Sequence, residues 1–488
     1  MIVRPGLANR HTHLAALAAF AGSVLAFAPT ADAQQDQRRL ERALRTAQSA
    51  DDYRLRVDTA LTLGERTQID VGGNYTFTAL FLDDSTGNSR RLFQNEVQLY
   101  ARASIDGVHN AFVRVRFPYR DFSPGDSFDG RGDSWDEPFL DRYVYEFDLA
   151  RAYAAYDGEA IDNNFNVKIG RQFVDWASSL VLSEVLLSVR PTVTIQNNFT
   201  IEGLAGVTAR STVDFDASRS QYDTNTERGY FGLKVGFTAE NGSQFYAFGL
   251  KMVDYNTDTA LRVPAGAVTT ANFEYSATYY GVGLSGAWGP SLIYTGELVW
   301  EDGHSMSDPT TAAQVRSKVE AYAGRGLITY LFRDENETRA QFEAIYATGD
   351  QDRVNTSDTV NGNQAGTRDN AFNGLGFANT GLAFAPTLSN IVSLRLGAST
   401  FPFRSDEDFD DVQVGIDGYL FRKATSGGID EPTNSDTFLG GEIDLFVSYR
   451  ITSDFAVAAR YGVFFPGEAI TSTKHARHFF LLSATLSF

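Results

Sequence analysis

The sequence predicts one up-and-down antiparallel transmembrane β-barrel, with about 18 strands and 16 as the other count that fits. Segments of about ten residues that alternate apolar and polar side chains recur over most of the chain. Connections rich in Gly, Asp, Asn and Ser separate them, and the last eleven residues, HFFLLSATLSF, continue the alternation to Phe488. A soluble β-sandwich also alternates, but one of this length would divide into domains, and we see no linker.

The first 33 residues predict a cleaved secretory signal. Arg4 and Arg10 precede an apolar run over residues 14–28, and Ala31-Asp32-Ala33 has the small-residue pattern of a cleavage site. The run is too short to span a membrane comfortably. Residues 34–52 are polar and favour a helix, and we expect either a short periplasmic helix or plug, or a disordered leader.

We assign residues 53–488 to the barrel. Residues 54–63 form the first alternating segment, and residues 96–104 set Val97 and Leu99 against Glu96 and Gln98. Charges at the middle of strands need water, and a wide lumen supplies it. Glycines at 170 and 324 are expected to break the inside–outside register.

Composition excludes several classes of protein. The 488 residues include no cysteine, so disulfides and cysteine metal sites are excluded. The mean hydropathy of −0.23 is too polar for a helical membrane protein, and no segment after the signal approaches about 20 apolar residues. The abundant Phe and Tyr suit strands and the aromatic girdles of membrane barrels.

The net charge of −19 argues against a nucleic-acid partner. Acidic residues concentrate in connections that we expect to be long, at residues 121–141, 349–370, 405–411 and 427–436. Asp406, Asp408 and Asp410 are a candidate Ca²⁺ cluster, although their spacing matches no EF-hand loop and a solvated acidic rim is the favoured interpretation. Tight turns are expected at residues 106–107, 241–242 and 452–454.

Basic residues recur at strand positions that are expected to face the lumen. These candidates are Arg56, Arg102, Arg114, Arg116, Arg151, Lys168, Lys234, Lys251, Arg395, Arg450 and Arg460. Cationic side chains that ring a pore attract anions through the focused field. The alternative is that they pair with Glu96, Glu297, Glu343, Glu442 and Asp444 and only fill the lumen.

Enzymatic chemistry is not expected. After the signal, histidine occurs only at residues 109, 304, 475 and 478, and a hydrolytic barrel needs a nucleophile beside a base. His475 and His478 lie three residues apart, so on a strand they would face opposite sides. We expect neither an enzyme nor a cofactor.

Three sequence motifs resemble those of the alginate-export family of outer-membrane porins. Residues 439–488 contain a Gly-x-Glu-x-Asp strand at 440–444, a turn, and a strand that ends in Phe-Phe-Pro-Gly at 464–467. Residues 168–172 (KIGRQ) and 342–350 (FEAIYATGD) resemble two further strands of that family.

The resemblance implies a monomeric barrel of about 18 strands whose constriction, rich in Arg and Lys, conducts a polyanionic polysaccharide. The residues that match by position are Arg171, Glu442, Asp444 and Arg460. The sequence departs from the family pattern after Arg171, where residues 173–214 are apolar and rich in hydroxyl groups.

We therefore expect a porin of a Gram-negative-type outer membrane that passes an anionic solute, such as alginate. Its expected partners are the lipid bilayer, lipopolysaccharide and that solute. One alternative is a non-selective diffusion porin. Another is a binding or structural barrel that is closed by the leader or by a loop, and residues 161–212 are the segment expected to fold inward.

Overall fold

The structure is a computed structural model, which describes residues 66–122, 133–135, 137–219, 226–256, 259–262, 269–406 and 408–488. The predicted signal, the predicted leader, the first alternating segment at residues 54–63 and Arg56 lie outside these ranges. Within them, no helix is both long enough and apolar enough to cross a membrane.

Eighteen long strands form the barrel in the part of the chain that the structure describes. In chain order they are β1 (Gln68–Asp83), β2 (Ser89–Ile105), β3 (His109–Phe122), β4 (Phe139–Asp148), β5 (Asn164–Asp175), β6 (Ser183–Ile195), β7 (Phe199–Thr208), β8 (Arg228–Thr238), β9 (Gln244–Asp254), β10 (Ser276–Trp288), β11 (Leu292–Met306), β12 (Arg316–Leu331), β13 (Arg339–Ala347), β14 (Ile391–Thr400), β15 (Val412–Arg422), β16 (Phe438–Arg450), β17 (Phe455–Pro466) and β18 (Arg477–Ser487).

Smaller elements lie in the connections. They are a strand at Ser134–Trp135, a hairpin of Thr259–Arg262 with Thr269–Asn272, a short helix α1 at Leu149–Ala152, and a π-helical turn at Tyr153–Asp157. The side chain of Asp148 caps α1 by accepting a hydrogen bond from the backbone N–H of Arg151.

Each barrel strand pairs antiparallel with the next one in the chain, and β18 pairs with β1. Asn74 lies opposite Ser487, and Phe81 lies opposite Phe480. Backbone hydrogen bonds between Gly73 and Phe488 extend this closing ladder. The predicted antiparallel barrel of 18 strands is therefore confirmed, and the sheet has no open edge.

Side chains alternate between the two faces of the wall, as the sequence predicts. On β16, Ile443 and Leu445 are exposed on the outer face, whereas Glu442 and Asp444 are buried inside. On β18, Phe480 and Leu482 are exposed, and Phe479 is buried. The outer face is apolar and the inner face is polar, which is the pattern of a wall between lipid and a water-filled lumen.

The connections differ in length at the two ends of the barrel. The predicted turn at residues 106–107 is tight, with φ of 55° at Asp106 and 73° at Gly107, and the turns at 196–198 and 451–454 lie at the same end. Residues 401–411 join β14 to β15 at this short-turn end. The acidic segment 405–411 therefore lies in a long connection at the opposite end from segments 349–370 and 427–436, because strand order decides the end at which a segment lies.

The expectation that the whole of residues 161–212 folds inward is wrong. They form β5, β6 and β7, and only the connection at 176–182 turns inward there. A longer connection, residues 348–390, also lies inside the barrel. We call these two segments the inward loops.

The inward loops bury an apolar core within the barrel. Trp176 and Leu182 of the first loop and Phe372 of the second are almost fully buried. Phe384 stacks on Phe464 of β17, with the ring centroids 4.3 Å apart. A barrel of this width would otherwise be open, so the inward loops set the shape of the lumen.

Candidate functional site: the lumen and its inward loops

The lumen contains the predicted basic residues of β2 and β3 together with acidic partners. Arg114 binds Asp141 of β4, with Nη2 to Oδ2 at 2.6 Å. Arg116 donates from Nε to Oε1 of Glu96 at 3.1 Å. Asp141 is brought inside by a register shift between β3 and β4, which places its carboxylate beside both guanidinium groups.

A second cluster connects β6, β7 and β8 around Glu202. Lys234 Nζ lies 2.6 Å from Glu202 Oε2, and Arg190 Nε donates to Glu202 Oε1 at 3.2 Å. Lys168 of β5 lies directly opposite Arg190 in the register. Sequence reasoning missed Arg190, although it holds a polar position in the alternating segment LSVRPTVT.

A third cluster lies on β12–β15. Glu343 accepts from Arg325 Nε at 2.6 Å, and its other oxygen lies 2.9 Å from Arg395 Nε. Arg395 also lies 3.4 Å from Asp417. Sequence reasoning missed Arg325. The pattern that could have identified it is an arginine between two glycines in an alternating strand.

The basic partner is the more exposed one in most of the interior pairs. For Arg116 and Glu96 the side-chain exposures are 18% and 3%, for Lys234 and Glu202 they are 23% and 10%, and for Arg325 and Glu343 they are 20% and 1%. Each carboxylate lies against the wall and the cation lies over it. The surface that a solute meets at these pairs is therefore basic although the pairs are neutral. Two pairs are exceptions. Arg102 and Asp70, 2.6 Å apart, have exposures of 26% and 38%, and Arg395 and Asp417 have exposures of 10% and 15%.

Four other predicted residues have different surroundings. Arg460 packs over the ring of Phe446 at 5.8 Å, and Arg450 is exposed near the short-turn end. Arg151 lies on α1 instead of on a strand, 3.7 Å from Asp148. Lys251 lies opposite Phe231, whose side chain is exposed, so its predicted lumenal position is wrong.

Arg171 lies where the barrel wall is irregular. Gly170, which precedes it, has a φ of 137°, a conformation that favours glycine. Arg171 lies opposite Tyr143, an exposed residue, and donates to Ser211 Oγ at 3.0 Å in the connection after β7. The structure therefore separates Arg171 from the other three residues of the family pattern.

Glu442 and Asp444 hold the second inward loop to the wall. Glu442 Oε1 accepts from the backbone N–H groups of Leu382 and Ala383 at 2.6 and 2.7 Å, and Oε2 accepts from Phe384 at 2.8 Å. Asp444 Oδ2 accepts from Leu382 at 3.1 Å. We call this arrangement the Glu442 latch. Three backbone donors for one carboxylate form a strong, charge-assisted contact.

The other side of the same loop is fixed to β10 and β11. Glu301 accepts from the backbone N–H of Asn373 at 3.0 Å, and the hydroxyl of Tyr279 donates to the carbonyl of Asn373 at 2.6 Å. The loop therefore reaches from β10 and β11 to β16. Sequence reasoning identified this connection only by its acidic residues, and the missed signal was the apolar run FNGLGFANTGLAFAP.

The two inward loops also bind each other and the third charge cluster. Leu182 and Leu375 form a parallel β-bridge, and Phe377 N donates to Ser179 O at 2.8 Å. Ser178 N donates to Glu297 at 2.9 Å, and Arg325 donates to Ser178 O at 3.0 Å. The loops thus cover carboxylates of β11 and β16, whereas the charged pairs on β2–β8 form between residues of the wall itself.

A polar contact connects the second inward loop to the connection after β7. Thr359 donates from Oγ1 to Asp216 Oδ2 at 2.8 Å, and Ser218 N donates to Asp216 Oδ1 at 3.0 Å. Burial and the adjacent charge of Asp214 raise the pKa of Asp216 to about 6. Burial also opposes ionisation of Asp214, but Arg228 and Arg219 hold the pKa of Asp214 below its usual value.

The predicted acidic cluster lies at the short-turn end. Asp408 N donates to Asp406 Oδ1 at 3.0 Å, and Asp410 O accepts from Arg404 at 3.2 Å. Over the described ranges, no group of three or more His, Cys, Asp or Glu is arranged to hold a metal ion.

The arrangement as a whole suits passage of a solute instead of a reaction. The polar groups line a closed wall, and the inward loops narrow its interior. Solved structures with the same fold include two proteins of Acinetobacter baumannii, OccAB3 and OccAB2. Each is 10% identical, with a TM-score of 0.52 over 86% of this chain and 99% or 98% of the other. Pseudomonas aeruginosa OccK5 is 10% identical, with a TM-score of 0.50 over 88% of this chain and all of the other.

These structural likenesses concern the fold. Among curated proteins, no relative matches. At the sequence level, the family described as alginate export matches residues 67–481, which is most of the chain. The chain therefore belongs to the alginate-export family, whose members are porin-like channels of the Gram-negative outer membrane.

Proposed function

We propose that this channel passes an anionic solute, and that an acidic polysaccharide such as alginate is the leading candidate. The observation that carries the proposal is the asymmetry of the interior pairs, in which the cation is more exposed than the carboxylate it binds. Arg116, Lys234 and Arg325 present partly exposed charges, while Glu96 and Glu343 are almost fully buried. A field from accessible cations in a low-dielectric wall concentrates anions.

The inward loops support the same proposal. Their backbone N–H groups donate hydrogen bonds to carboxylates on β11 and β16, for example in the Glu442 latch. A carboxylate that already accepts two or three hydrogen bonds repels a passing anion less than one that faces open water. The arc from β2 to β8 keeps Arg116, Arg190 and Lys234 beside the lumen.

We further propose that the channel works as a monomer in contact with the bilayer and lipopolysaccharide. The closed ladder has no edge strand that a partner could extend.

Reversal potentials in planar bilayers with a KCl gradient test anion selectivity. The wild-type channel should favour chloride, and Lys234→Ala combined with Arg190→Ala should reduce the anion-to-cation permeability ratio severalfold. Lys251→Ala is the matched control, because it removes a basic residue from the outer face and should leave the ratio unchanged. Equal permeability to both ions in the wild type would overturn the proposal in favour of a general diffusion porin.

Current block by oligosaccharides tests the solute class. Oligouronates should block the open channel at lower concentration than neutral oligosaccharides of the same length, because only the former carry carboxylates that the lumenal cations can bind. An equal block by both would remove the acidic saccharide from the proposal while leaving selectivity for small anions in place.

A further inference from the structure

The outer wall of β9–β14 carries a groove of about 880 Å³ on its lipid side. Its lining is almost entirely apolar, and Gly324 and Gly326 of β12 contribute to it. A side chain built at Gly326 would meet nothing within 4 Å, so the missing side chain leaves open space. Binding pockets for small molecules have volumes of roughly 300–1,000 Å³, and this groove falls in that range.

The register places small residues side by side beneath the groove. Gly326 lies between Gly296 of β11 and Ala344 of β13, so three neighbouring strands lack a large outward side chain at this level. The exposed side chains of Leu298 and Leu394 also line the groove. The barrel wall therefore has a recess where most of its outer face carries ridges of large apolar side chains.

An aromatic row crosses the wall on the side of the groove toward the long connections. Tyr280, Trp300 and Tyr322 are successive register partners on β10, β11 and β12, and all three are exposed. The rings of Tyr280 and Trp300 stack with centroids 5.4 Å apart. Tyr and Trp concentrate at the membrane interface, so this row marks the headgroup level of the bilayer.

A row of polar and charged residues lies two positions further along each strand. Lys251, Thr278, Asp302 and Glu320 are successive register partners there. Among the described residues, no hydrogen bond or ion pair of the Lys251 side chain is formed. This row is therefore at the height of lipid headgroups, directly above the groove.

Further basic residues surround this row. Lys318 lies 3.1 Å from Glu320, and Arg368 lies 2.8 Å from Glu320. The basic side chains are again the more exposed partners, at 49% for Lys318 and 64% for Arg368 against 23% for Glu320. Arg316, at 59%, similarly covers Glu274. Lys318 also lies 3.4 Å from Asp302, which is 42% exposed. An anionic headgroup would therefore meet these cations before Glu320 and Glu274, with Asp302 as the one comparably exposed carboxylate among these pairs.

We propose that this face binds a phosphorylated, multiply acylated glycolipid of the outer leaflet. One acyl chain lies in the groove over Gly326, and the aromatic row packs against the sugars. Lys251 of β9 and Lys318 of β12 are about three strand spacings, or about 14 Å, apart, and each binds a different phosphate group. The combination of an apolar recess, an aromatic row and exposed cations in one vertical stack favours such a lipid over a zwitterionic phospholipid, which offers no net negative charge.

The test uses native mass spectrometry of the delipidated full-length channel in detergent. Bis-phosphorylated hexa-acyl lipid A and phosphatidylethanolamine are added as separate probes. The wild type should bind lipid A at least about tenfold more tightly, because acyl burial and charge act together. Gly326→Leu should fill the groove and lose most of that affinity.

Two variants separate the chemistry from misfolding. Ala205→Leu places the same leucine side chain on the exposed face of β7, beside Phe231, and should bind lipid A like the wild type. Lys251→Ala combined with Lys318→Ala should reduce lipid A binding while phosphatidylethanolamine binding stays unchanged. Heat-modifiable gel mobility confirms that each variant is folded.

Three results would overturn the inference. They are unchanged lipid A binding in Gly326→Leu, equal affinity for the two lipids in the wild type, and a dimer that forms in place of the lipid complex and is lost in Gly326→Leu. The last result would assign the groove to a second copy of the chain.

Discussion

Glu442 shows how a single residue can fix the shape of a channel. Its two oxygens accept three backbone N–H groups from residues 382–384, which lie 58 to 60 positions earlier in the chain. If the loop left this position, those N–H groups would lose their acceptors. A buried donor without an acceptor destabilises the folded state by about 1–3 kcal/mol.

Removing the charge of Glu442 should therefore loosen the second inward loop. We expect Glu442→Gln to raise the single-channel conductance and its noise, because an amide oxygen cannot accept as strongly and its NH₂ group faces donors. Glu146→Gln is the matched control, since this buried glutamate accepts from Asn166 on the neighbouring strand. An unchanged conductance in Glu442→Gln would contradict the latch.

Asp216 makes the contact between two connections sensitive to pH. Its pKa is raised by burial and by Asp214 to about 6, above the usual 3.8. The protonated form is therefore favoured in the folded state. The contribution of the protonated Asp216 carboxyl group to stability is fully present below its usual pKa of 3.8. This contribution is lost as the pH rises through about 6.

We expect the open-channel current to become noisier, and the connection after β7 to become more susceptible to proteolysis, as the pH rises from about 4 to about 7. The groups that face Asp216 are Asp214, Arg228 and Asp358. Asp216→Asn should abolish most of this pH dependence, because an amide does not titrate. A pH dependence of the same size in Asp216→Asn would assign the effect to another group.

At the scale of elements, the barrel wall and the inward loops have different sources of stability. The wall is a closed ladder in which every strand has two neighbours. The inward loops depend on contacts with that wall, such as the Phe384–Phe464 stack and the Asn373–Glu301 hydrogen bond. The wall should therefore fold without the loops, but the loops should not order without the wall.

Replacing residues 371–385 by a short Gly-Ser linker tests this dependence. The variant should still insert and show heat-modifiable mobility, and its conductance should rise severalfold because the loop no longer narrows the lumen. Deletion of residues 34–52 is the companion measurement. If that deletion raises the conductance and the loop replacement does not, the leader and not the inward loop restricts the channel.

At the scale of the whole molecule, the net charge of −19 and the proposed anion selectivity are compatible. Selectivity depends on the charges that line the narrow part of the lumen, and charges beyond a Debye length are screened. Carboxylates that bind cations of the wall or backbone N–H groups of the loops count in the net charge. They contribute little to the electric field along the lumen.

The anion selectivity should accordingly fall as the salt concentration rises. The Debye length is about 10 Å at 0.1 M and about 3 Å at 1 M salt, so the lumenal field contracts toward the wall. We expect the anion-to-cation permeability ratio to move toward unity between these concentrations in the wild type. A ratio that does not change with salt would indicate selection by direct contact at a narrow site instead of by the lumenal field.

Much of the wall could be predicted because strand alternation is local. Residues two apart share a face, so Glu442, Asp444 and Arg460 could be placed inside from their neighbours alone. The prediction failed where a local pattern had two interpretations. Gly324 keeps an unbroken register with Leu298 and Tyr346. Gly170 also keeps its register, with Val144 and Ser188, despite its unusual φ of 137°, so the predicted register breaks at both glycines are wrong.

The sequence by itself determined the barrel, its polar lumen and its family, because these follow from a two-residue period and short motifs. It left the strand number at about 18 or 16, and the structure decided for 18. Only the tertiary structure decided which connections fold inward and which charge binds which. Those choices depend on contacts between distant parts of the chain, such as Ser178 with Glu297 and Asp216 with Thr359. Closure of the wall brings such residues together, and no local pattern records that proximity.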